Sequence, residues 1–401
     1  MKRVLSISTL YPNAARPRFG TFVARSLEAL QRETQWDVTV INPIGLPPIR
    51  FGHYRELGDA ARGGMEHGVM VHRPTFPLLP KLGGRINPRL IARSILPLVR
   101  KLHAEAPFDM VDAQFFYPDG PAAAHIAKEL RLPFSIKARG ADIHYWGAKS
   151  YANRMMRGSA NEAAGLLSVC EALAQDMAAI GLPPQKTVIH YTGLDRDLFR
   201  PLNHTKLRER LASELGVDLQ GDAPILATVG ALIGRKGQAL VIEALRDLPS
   251  ARLLLVGKGE DEAALKALAT EGGLADRVHF LGLLDHKMLP LVLSAADVMV
   301  LPSASEGLAN AWVEALACGT PIVITDAGGA REVVTDPAAG TIVERDAASI
   351  ASGVRQVLDR PADRQGTAAM ADRFDWRVNG RTLGEYFDRL VAEREGAAGS
   401  V

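Results

Sequence analysis

The sequence predicts an α/β protein with two domains, each built on a parallel β-sheet covered by helices. Its 401 residues are too many for one ordinary hydrophobic core. Segments typical of strands and helices alternate through both halves, and that alternation indicates parallel sheets. The hydrophobic content of 47% and the charged content of 23% are those of a soluble globular protein.

The first domain is predicted to span residues 1–198. Its expected strands are residues 4–8, 38–42, 108–114, 134–137 and 188–191, and its expected helices are residues 22–33, 87–103, 121–130, 150–163 and 171–180. These elements follow each other in the order that a parallel, helix-covered sheet requires.

The second domain is predicted to span residues 199–375 and begins with a polar joining segment. Its expected strands are residues 225–230, 252–256, 278–281, 298–301 and 321–325, and its expected helices are residues 238–248, 260–269, 287–295 and 309–317. Mainly helical patterns follow residue 349, and residues 376–401 form a separate C-terminal helical segment.

Composition restricts the cellular setting and the partners. The two cysteines, Cys170 and Cys318, suggest neither a disulfide framework nor a metal site, which favours a reducing compartment. No signal peptide and no apolar run long enough to span a membrane is evident. The net charge of +2 conceals a basic first half and an acidic second half. This asymmetry fits an anionic membrane surface or a phosphorylated acceptor, although composition noise explains it equally well.

Two glutamates, Glu306 and Glu314, stand where a buried strand is followed by a helix. The apolar run 297–301 ends at a Pro-Ser pair, which is typical of a buried strand in a parallel sheet. Turn-forming residues follow, and residues 311–317 favour a helix. Ligands of open α/β sheets bind outside the carboxyl ends of the strands, so both glutamates are candidates for a binding site.

The whole string 303–321, with its Ala-rich helix and its Gly-Thr-Pro ending, resembles the signature of retaining glycosyltransferases of family 4. Members of that family have the GT-B fold, in which two Rossmann-like domains face each other across an interdomain cleft. Their last helix crosses back to the first domain, which implies the same for the C-terminal helix at residues 376–401 here. The resemblance implies that this chain moves a sugar from a nucleotide-diphosphate sugar with retention of configuration. The alternative is an ordinary helix start with a solvated glutamate.

A second string, residues 229–237, follows the first strand of the second half. It places Arg235 and Lys236 after Gly230, and glycine lets a backbone approach a ligand closely. The string resembles the family's Gly-x-Leu-x-x-x-Lys-Gly element, in which an arginine and a lysine bind the donor diphosphate. Arginine can hold a diphosphate bidentately, and lysine acts as a compact point charge. The alternative is a solvated basic turn.

The resemblance assigns further donor contacts. Glu314 would accept hydrogen bonds from the ribose hydroxyls, and Glu306 would contact the donor sugar. The N–H groups of Gly307 and Leu308, near a helix N-terminus, would extend the diphosphate cradle. Leu284 stands where the family contacts the base through the backbone.

Three residues, Arg235, Lys236 and Glu306, are predicted to carry catalysis. Lys258 follows another strand within a Gly-rich turn and either reaches the phosphates or is a surface lysine. No acidic pair or histidine cluster of metal-ligand type stands near these residues in the sequence. We therefore predict no metal ion and no cofactor, with the cations and helix-end amides neutralising the leaving diphosphate.

Two strings of the first half resemble acceptor-side elements of the family. Residues 9–23 resemble the Tyr-Pro…Gly-x-Phe-Val opening of a subset that builds bacterial surface polysaccharides, and Gly20 permits a close approach. Gly140 and Asp142 fit a His-Gly-x-Asp element in which Arg139 replaces the histidine. Arginine cannot act as a general base at ordinary pH, but it can hold charge on a phosphate or an acidic sugar.

A basic amphipathic helix is predicted at residues 87–103, with a kink at Pro97. Arg89, Arg93 and Arg100 lie beside apolar residues, and such a helix can dock on anionic lipid. Ordinary packing with a solvated basic face is the favoured alternative.

These patterns together predict a retaining glycosyltransferase that acts in polysaccharide or oligosaccharide biosynthesis. The donor would be a nucleotide sugar, with UDP-sugars favoured, and the acceptor a saccharide or lipid-linked molecule. The predicted location is cytoplasmic, with possible peripheral contact at the inner face of an anionic membrane, and no nucleic acid is expected as a partner. A nucleotide-sugar epimerase of the same plan and a non-catalytic sugar-nucleotide-binding subunit are the alternatives.

Overall fold

The computed structural model describes residues 1–49, 52–79, 83–217, 219, 221–360 and 363–398. The chain divides into two compact units. The first unit comprises Met1–Gly193 and the C-terminal segment that begins at Trp376, and the second comprises Leu194–Asp375. Each unit has its own sheet and its own hydrophobic core.

The first unit alternates strands and helices along most of its length. Its strands and helices are β1 (Lys2–Ile7), α1 (Thr21–Glu33), β2 (Trp36–Ile41), β3 (Ile44–Leu46), α2 (His53–Asp59), β4 (Gly64–Glu66), β5 (Val69–His72), β6 (Thr75–Pro77), α3 (Gly83–Glu105), β7 (Met110–Ala113), α4 (Asp119–Leu130), β8 (Phe134–Lys137), α5 (Ser150–Glu162), β9 (Gly165–Ser168), α6 (Glu171–Ala179) and β10 (Thr187–Ile189).

The eight-stranded sheet of the first unit has the order β10-β9-β8-β7-β1-β2-β5-β4. All its neighbouring strands pair in parallel except β4, which pairs antiparallel with β5 at the edge. The tight turn at His67 and Gly68, both with positive φ, reverses the chain between these two strands. The parallel sheet predicted from the sequence is therefore confirmed, with an antiparallel edge strand that the sequence pattern did not reveal.

The second unit repeats the alternation. Its strands and helices are α7 (His204–Leu215), β11 (Ile225–Val229), α8 (Gln238–Ala244), β12 (Arg252–Val256), α9 (Glu262–Glu271), β13 (Val278–Gly282), α10 (Leu289–Ala295), β14 (Val298–Leu301), α11 (Asn310–Ala317), β15 (Ile322–Thr325), α12 (Ala330–Val333), β16 (Gly340–Val343), α13 (Ala347–Leu358) and α14 (Arg364–Ala369). The sheet is parallel throughout, in the order β13-β12-β11-β14-β15-β16.

The last helix, α15 (Trp376–Ala398), belongs to the first unit and packs against α1. Glycine makes this packing possible, because a Cβ at Gly380 would lie 2.5 Å from the Ala29 carbonyl oxygen. Phe387 of α15 meets Trp36 edge-on at 5.6 Å between ring centroids. The chain therefore begins and ends in the same unit.

Helix α3 runs from Gly83 to Glu105 as one helix that contains Pro88 and Pro97. Its apolar face, including Ile91 and Ile95, is buried within the first unit. Packing inside the unit therefore occupies the face that a lipid surface would need, and the membrane contact stays a prediction that depends on the exposed basic side chains. No helix in the described ranges combines the length and apolar character needed to cross a membrane.

Candidate functional site

The loops after β11, β12 and β13 are held against each other at the carboxyl ends of these strands. Gly257 and Gly259 allow the contact, because a Cβ on either would lie about 2 Å from a carbonyl oxygen of the β11 loop. The Gly230 N–H donates to Val256 at 2.9 Å, and the Leu232 N–H donates to the Lys258 carbonyl at 3.1 Å. The two glycine-rich turns predicted from the sequence, residues 230–237 and 257–259, therefore pack together into one surface, called here the donor wall.

A short 3₁₀ turn, Gly234–Lys236, brings Arg235 and Lys236 to the loop that follows β14. Gly237 has a φ of +77°, and a Cβ there would lie 2.4 Å from the Pro302 carbonyl oxygen. The Ala304 N–H also donates to the Arg235 carbonyl at 2.8 Å. Because only glycine allows so close an approach, the basic turn and the glutamate loop are fixed side by side.

Arg345, which follows β16, links the same two segments from the outside. Its guanidinium donates to the Gly234 carbonyl at 2.9 Å and to the Pro302 carbonyl at 3.0 Å. No sequence pattern marks this residue, because an arginine after a strand is an ordinary surface feature until the fold shows which groups it contacts.

Lys236, Glu306 and Arg235 form one charged cluster. The Lys236 ammonium donates directly to Glu306, whose other carboxylate oxygen lies 3.6 Å from the Arg235 guanidinium. Arg235 also donates to the Ser305 carbonyl. Two cations against one carboxylate leave the cluster with a net positive charge, which suits an anionic ligand. The three predicted catalytic residues are thus within contact of each other.

The loop that enters α11 presents unused backbone donors. Among the described residues, no acceptor is found for the N–H groups of Gly307 and Leu308. Gly328 supports the loop from below, because its φ of +53° and its lack of a Cβ admit the Glu306 and Gly307 carbonyls. Free N–H groups at a helix N-terminus attract anions, so this loop continues the positive cluster.

Glu314 lies inside α11 and is buried, with 11% of its side chain exposed. One of its oxygens lies 3.6 Å from His286 Nε2. The His286 ring in turn meets the buried Phe199 edge-on at 5.2 Å between centroids. His286 stands just after β13 and was not identified from the sequence, because a lone histidine in a polar turn carries no signal by itself.

The two remaining donor-side predictions lie on the same wall. Lys258 is exposed, and a Cβ on Gly282 would lie 3.6 Å from its side chain. Leu284 is half-buried, whereas its neighbour Leu283 exposes 66% of its surface. Their contact with a nucleotide stays a prediction, since the structure shows only that both stand at the carboxyl end of β12 or β13.

In the first unit, Asp142 is completely buried and binds the backbone around it. Its carboxylate accepts from the N–H groups of Phe116, Arg139, Gly140 and Ile143 at 2.8–3.1 Å. Gly140 adopts a φ of +110°, which turns its N–H towards this carboxylate. Burial raises the pKa of Asp142, and these hydrogen bonds oppose that rise. The residue therefore shapes the loop, and its carboxylate has little capacity left for a ligand.

Arg139 lies half-buried on this loop and is held by Gln114, whose side-chain and main-chain oxygens both accept from it. Its guanidinium stacks on the Phe22 ring at 5.1 Å. Its NH1 group is buried and has no partner among the described residues. Burial lowers the pKa of Arg139 to about 10, so it remains charged at neutral pH. One donor of a fixed cation is thus left free.

Beneath Arg139 lies a buried polar network that sequence reasoning missed. Asp112 accepts from Ser135 at 2.8 Å and from Ser6 at 3.1 Å, and Lys137 Nζ lies 2.6 Å from His190 Nδ1. Burial, and then the neighbouring Arg139, lowers the pKa of Lys137 well below its usual value. No sequence motif marks this network, because its members come from separate strand ends that meet only in the folded sheet.

Gly20 caps α1 with a φ of +72°, and a Cβ there would lie 2.6 Å from the Leu10 carbonyl. It therefore permits the 9–20 loop to fold back on the start of the helix. His144, two residues after Asp142, pairs through its side chain with Asp176 at the surface at 2.9 Å.

Asp119, the first residue of α4, is fully buried behind that loop. One carboxylate oxygen accepts from the Thr9 N–H at 2.8 Å, and the other has no partner among the described residues. Burial raises the pKa of Asp119 to about 7, and Asp142 adds to that rise.

Across the described ranges, no group of three or more His, Cys, Asp or Glu side chains is arranged to hold a metal ion.

Two family models match the chain, and together they cover both units. The model described as "Glycosyl transferase 4-like domain" matches residues 20–193. The model described as "Glycosyl transferases group 1" matches residues 216–373. The second match contains Arg235, Lys236, Glu306 and Glu314.

Two known relatives match this chain over most of their own length. It is 28% identical over 336 residues to TuaC of Bacillus subtilis (strain 168), which is named as a glycosyltransferase of teichuronic acid biosynthesis, and the match covers 82% of each chain. It is also 28% identical over 356 residues to the 2-deoxystreptamine glucosyltransferase of Streptomyces kanamyceticus, covering 81% of this chain and 90% of that protein.

A solved structure shows the fold. The Anabaena protein Alr3699/HepE, in complex with UDP and glucose, is similar with a TM-score of 0.65 and 22% identity, over 97% of this chain and 99% of that one. The GT-B fold predicted from the sequence is thereby confirmed. The two family matches, the relatives and the fold agree, and the chain belongs to the family 4-type glycosyltransferases, as an enzyme of the glycosyltransferase class.

Proposed function

We propose that the second unit binds a nucleotide-diphosphate sugar, and that the first unit binds the saccharide or lipid-linked molecule that receives the sugar. The observation that carries the proposal is the net positive cluster of Lys236, Glu306 and Arg235 beside the free N–H groups of Gly307 and Leu308. A diphosphate is the part of such a donor that needs concentrated positive charge and backbone donors.

The diphosphate would bind where Lys236 now contacts Glu306. The Lys236 ammonium has three N–H donors, so it can keep its hydrogen bond to the Glu306 carboxylate and also donate one to a phosphate oxygen. Arg235, whose side chain is 45% exposed, has room to turn towards the same phosphate. As the bond between the sugar and the diphosphate breaks, negative charge grows on the diphosphate. The two cations therefore stabilise the leaving diphosphate more strongly than the bound donor, which lowers the barrier to transfer.

Glu306 would hold hydroxyls of the donor sugar, and its salt bridge fixes the direction in which it can do so. A carboxylate already neutralised by Lys236 is a poor nucleophile, which argues against a covalent intermediate on Glu306. We favour attack from the side of the leaving group. The acceptor oxygen bonds to the anomeric carbon as the carbon–oxygen bond to the diphosphate breaks, and a diphosphate oxygen takes the acceptor's proton. Retention of configuration follows from that geometry.

Glu314 would accept hydrogen bonds from both ribose hydroxyls, since a buried carboxylate with an accessible edge suits a vicinal diol. His286, at 3.6 Å, would orient that carboxylate. UDP-sugars are the favoured donors, supported by the UDP complex of the Anabaena protein that shares this fold. Lys258, Leu284 and Gly230 complete the proposed donor wall, and no metal ion is required by this distribution of charge.

On the acceptor side, the positive charge of Arg139 would attract a phosphate or an acidic sugar of the acceptor, and Asp142, Gly140 and Gly20 would shape the loops around it. Arg139 remains charged, so it cannot serve as a general base. A role in polysaccharide or oligosaccharide assembly is supported by the teichuronic acid relative. A lipid-linked acceptor would bring the chain to a membrane surface, where the exposed Arg89 and Arg93 of α3 are available.

The test is a screen of nucleotide sugars for binding and for release of the nucleoside diphosphate, with and without acceptors, in excess chelator. We expect one class of donor to bind and turnover to need an acceptor, with the product's anomeric configuration retained by NMR. Conversion of the donor sugar without any acceptor would instead indicate an epimerase. Strict dependence on an added metal ion would contradict the proposed charge neutralisation.

A further inference from the structure

A cavity of about 290 Å³ lies within the first unit, beyond the carboxyl ends of β1 and β2. It is lined by Thr9, Asn13, Arg16, Phe19, Asn42, Pro43, Ile44, Gly45, His53, Tyr54, Leu57, Phe76, Leu78, Asn87 and Pro118. Its size is at the lower end of the range for small-molecule pockets, roughly 300–1,000 Å³. A single ring fits such a space better than an oligosaccharide does.

One residue that lines the cavity, Asn42, is polar and buried. Asn42 is only 2% exposed, and its Nδ2 donates to the Ser8 carbonyl at 2.8 Å. Its Oδ1 is buried and has no partner among the described residues. A buried carbonyl oxygen without a donor costs free energy, so a hydrogen bond from a ligand hydroxyl that reached this atom would be favourable.

The walls of the cavity are aromatic and firmly supported. Phe19, Tyr54 and Phe76 line it, and Tyr54 packs on the small hydrophobic cluster formed by Ile44, Leu46 and Leu57. The C–H faces of a sugar ring are apolar while its edge carries hydroxyls. Aromatic walls beside the polar Asn42 therefore match a sugar ring.

The described residues that line the cavity include a basic side chain, Arg16, and no acidic one. Arg16 is exposed at the rim, its guanidinium lies 5.9 Å from the Phe19 ring, and it has no acidic partner in the described ranges. His53 stands on the opposite wall against Tyr54. None of the described lining residues is acidic. An arginine without an acidic partner, at a cavity whose described lining contains no carboxylate, favours an anionic group on the ligand.

We propose that this cavity binds one sugar ring of the acceptor, and that this ring carries a carboxylate or a phosphate group. The ring would lie between the aromatic walls with a hydroxyl on Asn42 Oδ1, and its anionic group would reach Arg16. The assignment to the acceptor rests on the proposed function. The binding of an anionic sugar to the cavity does not, since every group that carries it lies in the first unit.

The experiment is saturation-transfer-difference NMR on the full chain with methyl β-D-glucuronide, glucose 6-phosphate, methyl β-D-glucoside and inorganic phosphate as separate probes. We expect at least one anionic sugar to bind about tenfold or more tightly than the neutral glucoside. Inorganic phosphate alone should bind weakly, because it lacks the ring. Comparison of the glucuronide with the sugar phosphate shows which anion is preferred.

Two exposed arginines of the same loop give a matched pair of variants. Arg16→Glu should abolish binding of the preferred anionic sugar, whereas Arg18→Glu, exposed and outside the cavity lining, should leave it unchanged. Asn42→Leu should weaken ring binding. Since Asn42 is buried, Phe19→Ala at the exposed rim provides a second loss-of-contact variant if that protein fails to fold.

The proposal is overturned if no probe binds at millimolar concentration, if the neutral glucoside binds as tightly as the anionic sugars, or if Arg16→Glu changes nothing. UDP titrated into the same samples separates this outcome from the proposed function. UDP binding retained in Arg16→Glu with loss of the anionic sugar supports both proposals. Sugar binding in a chain that ignores every nucleoside diphosphate would uphold the cavity and refute the donor site.

Discussion

The two units treat their charged residues in opposite ways at the carboxyl ends of their sheets. In the first unit, Asp142 and Asp112 are buried and hydrogen-bonded to their own surroundings. In the second unit, Arg235 and Lys236 stand on one short turn, with Arg235 exposed and Lys236 half-buried, and contact a single carboxylate. These carboxylates of the first unit thus hold their own loop and strands in place, whereas the cations of the second unit stay available for a ligand. Substitutions should therefore alter shape and stability in one unit and donor affinity or rate in the other.

The largest expected effect is on turnover in the second unit. Lys236→Ala should lower kcat by at least about a hundredfold, because it removes a cation from the developing diphosphate charge. The measurement is steady-state release of nucleoside diphosphate, with the thermal midpoint as a check on folding. Lys266→Ala is the matched control, since Lys266 pairs with Glu262 on the exposed face of α9. Equal losses in both variants would remove the reason for assigning the diphosphate to Lys236.

The next effect is on donor affinity. Glu314→Gln keeps the shape of the side chain but loses the charge that would accept from two ribose hydroxyls, so the donor Kd should rise about tenfold to a hundredfold. Calorimetric titration of the nucleoside diphosphate measures this change. Glu271→Gln, at an exposed position of α9, should leave the affinity unchanged. An unaltered Kd in Glu314→Gln would refute the ribose assignment.

A smaller effect is expected at Arg345, which holds the basic turn to the glutamate loop without reaching the ligand. Arg345→Ala should raise the donor KM several-fold to about tenfold, with a smaller change in kcat, because the turn loses its support. Arg355→Ala provides the comparison, since Arg355 also donates to a backbone carbonyl, that of Asp247 at 2.9 Å. If the two variants behave alike, the link between the segments has no role in donor binding.

The smallest effect concerns stability in the first unit. Burial raises the pKa of Asp119 from 3.8 to about 7, so the folded chain binds this proton more tightly than the unfolded chain. The resulting stabilisation is present below about pH 4 and is lost as the pH rises towards about 7. Asp119→Asn keeps an acceptor for the Thr9 N–H and removes the titration. Thermal midpoints across this pH range should therefore fall less with rising pH in the variant, and identical pH profiles would contradict the assignment.

The sequence predicted the donor side better than the acceptor side, and the reason is physical. Arg235 and Lys236 lie in one short turn, and Glu306 and Gly307 lie in one loop, so local motifs contain most of that cluster. Their direct contact could not be read from the motifs, because it depends on close backbone approaches at Gly237 and Gly328.

The acceptor-side features were harder to predict because they form from distant segments. The cavity around Asn42 combines loops that follow β1, β2 and β6 with residues of α2 and α3. On the donor side, His286 was missed for the same reason, because only the folded structure brings it within 3.6 Å of Glu314, which is distant in the chain. Alternation predicted most of the sheet strands, and β9 and β16 were among those missed, although β8 and β14 of the same length were predicted. Both missed strands begin with a glycine, which is uncommon in strands.

The central claim is that Arg235 and Lys236 hold the diphosphate of the donor. Its most direct test is calorimetric titration of the wild-type chain and the Arg235→Ala/Lys236→Ala variant with UDP and uridine, and with GDP and guanosine, in excess chelator. We predict that one diphosphate binds the wild type about a hundredfold or more tightly than its nucleoside, and that this difference collapses in the variant. A difference that survives the double substitution would contradict the claim.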